Sequence, residues 1–380
     1  MRISYYTSVR LDEYNAPAEH VRGFCEALVS TNNLHSLVRP TNSLVKQQHL
    51  EWMTVTDIPV WYPRIRGGWR VFEALVQRRL RSLPFHEYNI AYFRFTPSLK
   101  LARTLSDSIR GPLKVLELNG STGINTQTFQ RFGQAMDLIL VDSPEMQHRL
   151  ESLFPTTAPR VATHRHPATN TSIFRPQSLS DCRTELLLPQ LSPVILHVSG
   201  FQRQHDFETI VDATASLVHE FPDIKLILLG DGPRREEVAK LAMAKLSPHH
   251  YLMPGSVPPH IVASYISAAD VCINTFTRVA LQDGNLRAYK LYEYMACERP
   301  VIEAIDATRQ VDAWAQEILH LVPAESPSAV TSALREILLH PERTIRRVIA
   351  GRAYVNTFRT WDTAAKETLG LISRLYDHVV

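Results

Sequence analysis

The chain has 380 residues, of which 44% are apolar and 21% charged, and its formal net charge is +3. This composition excludes a disordered chain, and the length exceeds what one ordinary hydrophobic core requires, so two domains are expected. The small net charge gives no reason to expect a nucleic-acid partner. The four cysteines do not form a C-x-x-C pair, so they indicate neither a zinc site nor a disulfide framework.

The N-terminal residues already have a strand-like pattern, from Met1 to Tyr6. We see neither a leader pattern nor an apolar run of membrane-spanning length. A cytoplasmic protein is therefore expected, with peripheral contact at the inner face of the membrane as an open alternative.

Strand-like and helical patterns alternate along both halves of the chain. Strands are predicted at 3–9, 89–95, 113–118, 138–141, 194–198, 224–229 and 271–273. Helices with apolar faces are predicted around 21–29, 101–109, 210–218, 238–242 and 261–266. Apolar strands separated by amphipathic helices imply parallel sheets that are covered on both faces. The prediction is an α/β chain with two Rossmann-like, doubly wound domains.

A domain boundary is predicted within 167–193, because this stretch is rich in Thr, Ser, Pro and Asn and has no clear period.

The most informative stretch is 290–302, K-L-Y-E-Y-M-A-C-E-R-P-V-I, which predicts a helix followed by a buried strand. Glu293 lies on that helix among residues that favour burial, and a buried carboxylate is costly unless it has a partner. A ligand with hydroxyl groups, such as a ribose, is one such partner. A capped helix–strand corner with Glu293 half exposed is the alternative.

This stretch resembles the K-L-x-E-Y-M-A-x-G-x-P-V signature of retaining GT-B glycosyltransferases of family 4. Residues 230–233, G-D-G-P, resemble that family's G-x-G-P loop. Residues 199–207 resemble the G-S-F-x-x-W-H-G loop of one of its subgroups. The resemblance implies a GT-B fold with a central cleft, in which an acceptor-binding domain (1–175) and a nucleotide-sugar-binding domain (176–355) are followed by a C-terminal helix (356–380) that crosses back to the first domain.

The resemblance also implies roles for individual residues on the donor side. Glu293 would hold the donor ribose, and the departing diphosphate would be stabilised by His205, Arg287 and Lys290. The sugar would contact Asn285 and Asp283. The glycines of the two loops would let the backbone approach the donor; they are Gly200, Gly230 and Gly232.

Several positions depart from the family pattern. Asn285 stands where the family has its first Glu, and Glu298 and Asp206 replace glycines. The departures at Asn285, Gly200 and Glu298 leave open a nucleotide-sugar-binding protein without transferase activity. A nucleotide-sugar epimerase is a second alternative, because that chemistry shares the fold.

On the acceptor side, four residues lie at predicted strand ends or at a helix start. Arg94 matches the subgroup's Y-E-R, and Glu117 and Asn119 match its E-V-N-A. His20 begins the first helix and is a candidate acceptor contact. All four are candidate catalytic residues, because open α/β sheets bind ligands at the carboxyl ends of their strands.

The segment 61–81 combines tryptophans with arginines, a composition that suits an anionic lipid surface. A core-packed helix with a solvated basic face is the favoured interpretation. No aromatic stacking motif supports RNA binding there.

The implied function is transfer of a sugar from a nucleoside-diphosphate donor to an acceptor hydroxyl, with retention of configuration. Synthesis of a glycan or of a lipid-linked polysaccharide is the expected pathway, with a glycan, lipid-linked or small-molecule acceptor. No cofactor and no metal ion are expected, since the chain has no D-x-D motif.

Overall fold

The structure is a computed structural model that describes residues 1–11, 15–41, 54–59, 74–78, 89–94, 103–104, 112–118, 126–154, 160–164, 167–282, 289–308 and 310–379. The chain divides into two compact units. The first domain consists of Met1–His166 and Trp361–Val380, and the second domain is Pro167–Thr360.

The first domain is built on a parallel sheet of seven strands with the order β3-β2-β1-β4-β5-β6-β7. In chain order the strands are β1 (Ile3–Thr7), β2 (Leu34–Thr41), β3 (Thr54–Pro59), β4 (Ile90–Arg94), β5 (Leu113–Glu117), β6 (Leu138–Val141) and β7 (Arg160–Thr163). Every residue of β1, β4 and β6 is buried, as expected of a sheet covered on both faces.

Its helices include α1 (Ala16–Ser30), α2 (Gln127–Gln134), α3 (Pro144–Leu153) and α13 (Trp361–Val379), and residues 74–78 are also helical. Short polar side chains set their starts: Asn15 accepts a hydrogen bond from Ala18 N at 3.0 Å, and Ser143 accepts one from Met146 N at 3.2 Å. Helix α13 packs on α1, where a Cβ added to Gly23 would lie 2.1 Å from Nε1 of Trp361. The absence of a side chain at Gly23 therefore makes room for the indole.

The second domain contains a parallel sheet of six strands with the order β10-β9-β8-β11-β12-β13. In chain order these are β8 (Val194–Val198), β9 (Lys225–Leu229), β10 (Tyr251–Gly255), β11 (Val271–Asn274), β12 (Val301–Ile305) and β13 (His320–Pro323). Its helices are α4 (Leu179–Glu185), α5 (Phe207–Leu217), α6 (Arg235–Lys245), α7 (Pro259–Ala268), α8 (Arg278–Gln282), α9 (Tyr289–Ala296), α10 (Ala313–Ile318), α11 (Pro327–Leu339) and α12 (Ile345–Phe358), with short 3₁₀ turns at Pro248–His250 and Pro341–Thr344.

The two apolar cores of the second domain lie on opposite faces of this sheet. One contains Leu196 and Cys272 with α7 and α9, and the other contains Ile195 and Ile273 with α5 and α11. Because neighbouring residues of a strand point to opposite faces, an unbroken apolar strand supplies both cores.

The predicted fold class is confirmed, since both sheets are parallel and interleaved with helices. The strands predicted at 138–141 and 194–198 have the observed bounds, and the other predicted strands are observed to within about two residues. Strands β2, β3, β7, β10 and β13 have no counterpart among the predicted elements.

Glu298, which stands at a glycine position of the family signature, adopts a left-handed backbone conformation with φ of 55°. It follows the end of α9, where Glu298 N donates to Met295 O and Arg299 N donates to Tyr294 O, both at 3.1 Å. This left-handed ending is the reason for a glycine at that position. Here the side chain contacts Arg352 Nη1 at 2.7 Å through its Oε1.

We expect Glu298→Gly to be more stable than Glu298→Ala by about 1 kcal/mol. Both variants lose the contact with Arg352, so the comparison isolates the backbone strain that only glycine relieves. Urea unfolding of the two variants measures the difference. Equal stability of the two would show that the φ of 55° costs nothing.

Among the described residues, no helix is both long enough and apolar enough to cross a membrane.

Candidate functional site

The first domain gathers three of the sequence-predicted residues at the topological switch point of its sheet. The strand order reverses between the neighbouring strands β1 and β4, and such a point is where open α/β sheets bind ligands. Arg94 is the last residue of β4 and Glu117 the last residue of β5. His20 lies in α1, the helix that follows β1.

The carboxylate of Glu117 is the centre of this group. Its Oε1 lies 2.6 Å from His20 Nε2 and accepts a hydrogen bond from Arg94 Nε at 3.2 Å. Its Oε2 accepts a hydrogen bond from the hydroxyl of Tyr92 at 2.8 Å. Arg94 also donates from Nη1 to Pro17 O, at the start of α1, at 3.3 Å. The network thus ties β4, β5 and α1 together.

These side chains are buried: the exposed fraction is 2% for Glu117, 8% for Arg94 and zero for His20. Burial lowers the pKa of His20, and Glu117 partly opposes that effect. Burial, reinforced by Glu117, raises the pKa of the Tyr92 hydroxyl. The sequence analysis named His20 as a candidate acceptor contact and Glu117 as a candidate catalytic residue. In the structure both side chains are enclosed and face each other.

Two further residues belong to this group and were missed by the sequence analysis. His164 follows β7 and is buried, and burial lowers its pKa to about 3. Trp361, the first residue of α13, meets the ring of His20 edge-on at 5.1 Å. The sequence offers little signal for His164, because β7 before it is short and only partly apolar. Trp361 had none, since it is remote in sequence.

In the second domain, the glycine loop after β9 packs directly against the loop after β8. A Cβ on Gly230 (φ +127°) would lie 1.9 Å from Ser199 O, and one on Gly232 (φ +157°) would lie 1.9 Å from Gly200 O. Both positions therefore require glycine. Gly200 differs, since a Cβ there would have its nearest neighbours at 3.9 and 4.0 Å. Among the described residues of this domain, no neighbour requires a glycine at 200.

Lys290 and His205 meet at the switch point of the second sheet, where the order reverses between β8 and β11. Lys290 Nζ lies 3.4 Å from His205 Nδ1 and 5.1 Å from the ring centroid of Phe276. His205 follows β8, Phe276 follows β11, and the two residues form an isolated β-bridge. Both predicted residues are thus in one cluster, together with an aromatic ring that the sequence analysis missed.

Burial dominates the electrostatics of this cluster. It lowers the pKa of Lys290 to about 7, against the opposing effects of Glu303 and Glu293. Burial also lowers the pKa of His205, and the nearby charge of Lys290 lowers it further. His197, in β8, is fully buried with its Nδ1 2.9 Å from Ile273 O. The cluster therefore holds titratable groups whose positive forms are all disfavoured by burial.

Glu303 favours the charged form of Lys290, because its carboxylate raises the pKa that burial lowers. It is 8% exposed and accepts a hydrogen bond from Asn274 Nδ2 at 2.7 Å. The sequence analysis missed both residues, although a carboxylate within the apolar strand β12 is a recognisable signal. His197 is a comparable signal within β8.

Glu293 lies in α9 and is partly exposed, so its side chain is accessible to a ligand. The next residue, Tyr294, is buried and its hydroxyl accepts a hydrogen bond from Val198 N at 2.8 Å. This bond holds α9 against the end of β8, which sets the position of Glu293.

Asp206, after β8, and Arg234, after β9, form hydrogen bonds that stabilise the loops in which they lie. Arg234 donates from Nη1 to His205 O and from Nη2 to Glu208, each at 2.9 Å. Asp206 caps α5 by accepting from Thr209 N at 3.0 Å. Asp206 replaces a family glycine, and in this chain it is a helix cap. Arg234 had no signal beyond its position after the glycine loop.

Four predicted site residues lie outside the described residues: Asn119, Asp283, Asn285 and Arg287. The segment 61–81 also lies outside, except for residues 74–78, where Arg78 is exposed and Val76 is buried. Within the described part of the chain, no group of three or more His, Cys, Asp or Glu side chains could hold a metal ion.

Residues 192–340 match the family model described as glycosyl transferases group 1. The chain is 25% identical over 239 residues to a GDP-mannose-dependent alpha-(1-6)-phosphatidylinositol monomannoside mannosyltransferase of Mycobacterium tuberculosis, covering 62% of this chain and 61% of that enzyme. It is 23% identical over 246 residues to an enzyme of the same name from Mycolicibacterium smegmatis, covering 64% of each chain.

Solved structures resemble the whole chain. A sucrose-phosphate synthase from Thermosynechococcus elongatus has a TM-score of 0.77 at 18% identity and covers 100% of both chains. The Anabaena protein HepE in complex with UDP has a TM-score of 0.73 at 15% identity, with 98% of this chain and 100% of that chain covered. WaaG, a glycosyltransferase involved in lipopolysaccharide biosynthesis, has a TM-score of 0.70 at 13% identity, with 97% and 99% covered.

The chain thus has the two Rossmann-like domains of the GT-B fold, and its second domain carries the sequence match to glycosyl transferases group 1.

Proposed function

We propose that this protein is a retaining glycosyltransferase that moves a sugar from a nucleoside-diphosphate donor to an acceptor hydroxyl. The observation that carries the proposal is the cluster at the switch point of the second sheet. There, Lys290 at the start of α9 lies against His205, in the domain that matches glycosyl transferases group 1. A cation beside a helix N-terminus suits the negative charge that develops on a departing diphosphate.

The second domain binds the donor in this proposal. The loop that contains Gly230 and Gly232 brings backbone close to the ligand, and Glu293 accepts hydrogen bonds from the ribose hydroxyls. Lys290 and Arg287 balance the diphosphate charge, while Asn285 and Asp283 contact the sugar. These assignments follow the family resemblance, and Asp283, Asn285 and Arg287 lie outside the described residues.

The first domain contributes Arg94 to the acceptor or to the transition state. Glu117 and His20 are positioning residues in this proposal, since Glu117 binds Arg94 Nε at 3.2 Å and is itself enclosed. Asn119 completes the acceptor side. The attraction between a fixed guanidinium and a negative charge is stronger in a buried site than in water, because the effective dielectric constant is lower there.

The donor we propose first is GDP-mannose, because the mycobacterial relatives are named as GDP-mannose-dependent mannosyltransferases. UDP-glucose is the second candidate, since HepE is known in complex with it. A lipid-linked or glycan hydroxyl, comparable to the phosphatidylinositol mannoside of the relatives' names, is the proposed acceptor class.

The test is a transfer assay with labelled GDP-mannose or UDP-glucose and a panel of lipid and glycan acceptors. We expect labelled product with the donor's anomeric configuration retained, as read by NMR, and unchanged turnover in the presence of EDTA. Donor binding without turnover would favour the non-catalytic binding protein. An altered sugar nucleotide formed without acceptor would favour the epimerase.

Glu293→Gln is expected to weaken donor binding by about 1–3 kcal/mol, the range for hydrogen bonds to a charged group. The side chain is partly exposed and keeps its shape, so the fold should be unaffected. Calorimetric titration with the donor measures the loss, and Glu298→Gln, two residues beyond the end of α9, is the matched control. Unchanged affinity in a folded Glu293→Gln variant would remove Glu293 from the donor site.

A further inference from the structure

Lys290 and His205 lie so close together that protonation of both side chains at once is unfavourable. Their nitrogens are 3.4 Å apart, and the exposed fractions of the two residues are 5% and 7%. Two positive charges at this distance in a buried site repel each other strongly. One proton shared in a hydrogen bond between Nζ and Nδ1 satisfies both atoms, so the pair has two stable forms, one neutral overall and one with a single positive charge.

Charged, titratable and aromatic groups from several elements of the second domain surround the Lys290–His205 pair. His197 in β8 meets the His205 ring edge-on at 5.7 Å, and Arg234, before α6, donates to His205 O. The charge of Arg234 disfavours a positive charge on His205. Glu303 in β12 and Glu293 in α9 favour the charged form of Lys290. Asn274, in β11, donates a hydrogen bond to Glu303. Phe276 follows β11, and its ring stabilises a cation at Lys290 Nζ.

We propose that the Lys290–His205 pair takes up one proton from the solvent when the diphosphate of the donor binds. This inference rests on the proposed function, because it needs an anion at the start of α9. The incoming diphosphate lowers the energy of the charged form, so binding and protonation favour each other. Lys290 contacts the donor, and His205 is a positioning residue that holds Nζ by accepting its hydrogen bond. His205 itself was predicted as a direct phosphate contact, and the proposal replaces that role.

The direction in which donor affinity changes with pH follows from the pKa of Lys290 in the unliganded domain. Burial lowers the pKa of Lys290 to about 7, so the unliganded pair is charged below that pH and neutral above it. A bound diphosphate raises this pKa. Donor affinity is therefore constant at low pH and falls as the pH rises above about 7, by at most tenfold per pH unit.

The experiment is calorimetric titration of the full-length protein with GDP-mannose and with UDP-glucose from about pH 6 to about pH 8.5. These donors carry a diphosphate diester, which does not titrate in that range. We expect affinity to fall roughly twentyfold over the range. At about pH 8 we expect uptake of nearly one proton per donor, seen as a dependence of the binding heat on the ionisation enthalpy of the buffer.

Three variants separate the parts of the proposal. Lys290→Arg keeps a charge that does not titrate, so the affinity should no longer depend on pH. His205→Leu removes the acceptor of the Lys290 hydrogen bond, so the fall in affinity should begin at a lower pH, and His205→Gln, which retains an acceptor, should restore it. Lys240→Met, which removes an exposed lysine of α6, is the matched control and should behave as the parent.

Each outcome decides the matter. Binding without proton uptake, or an affinity loss in His205→Leu that is equal at every pH, overturns the proton-linked pair and leaves the glycosyltransferase proposal standing. If neither donor binds the parent at any pH, both proposals fail. The buffer dependence of the parent needs no variant, so a Lys290→Arg protein that fails to fold does not prevent a decision.

Discussion

Replacing Glu117 by leucine is expected to lower the free energy of unfolding by about 3–5 kcal/mol, the range for breaking a buried ion pair by removing one partner. The exposed fraction of Glu117 is 2%, and its two oxygens contact His20, Arg94 and Tyr92. Without the carboxylate, the Arg94 charge stays buried and the Tyr92 hydroxyl loses its acceptor.

Urea unfolding measures this loss. Glu117→Gln keeps the shape and one acceptor oxygen, so its loss should be smaller than that of Glu117→Leu. Glu151→Leu, on the exposed side of α3, is the control and should change stability by no more than about 0.5 kcal/mol. A Glu117→Leu protein as stable as the parent would mean that the network contributes nothing to the first domain.

The same residue links stability to the proposed activity. Because Glu117 holds Arg94 Nε, Glu117→Gln should lower turnover while leaving the donor affinity of the second domain unchanged, the pattern of a group that acts on the acceptor or the transition state. Full turnover in a folded Glu117→Gln protein would contradict the positioning role.

The second large effect is expected at the glycine loop. Alanine at Gly230 or at Gly232 would place a Cβ 1.9 Å from a backbone oxygen of the neighbouring loop, with φ of +127° and +157° respectively. A backbone contact cannot rotate away as a side chain can, so both loops must move. We expect a stability loss of about 3 kcal/mol or more and a loss of donor binding.

Gly200→Ala is the matched control for this prediction. The added Cβ would find its nearest atom at 3.9 Å, which is ordinary contact. Its stability should therefore differ from the parent by no more than about 0.5 kcal/mol. Reduced donor affinity in a stable Gly200→Ala variant would place the ligand directly over this residue, and parent-like stability of Gly232→Ala would contradict the loop contact described above.

Much of the fold could be predicted from the sequence, because the buried parallel strands are continuous apolar runs. Leu138–Val141 illustrates this, since all four residues are apolar and buried, and Val194–Val198 is apolar except for the buried His197. Strand β2 (Leu34–Thr41) was missed because it mixes apolar residues with His35, Arg39 and Pro40, so that neither an alternating nor a continuous apolar pattern is visible. Edge strands such as β7 and β13 are short and partly exposed, which weakens their pattern.

The sequence by itself determined the two-domain α/β architecture, the helix carrying Glu293 and the glycines at 230 and 232, because apolar periodicity and backbone conformation are local properties. Only the tertiary structure decided what the candidate residues contact. His205 and Lys290 are 85 positions apart and meet at 3.4 Å, and Glu117 joins His20 to Arg94. The order of the strands makes these contacts, because each sheet brings the ends of strands that are distant in sequence to one switch point. There, burial shifts the pKa values of His20, His205 and Lys290.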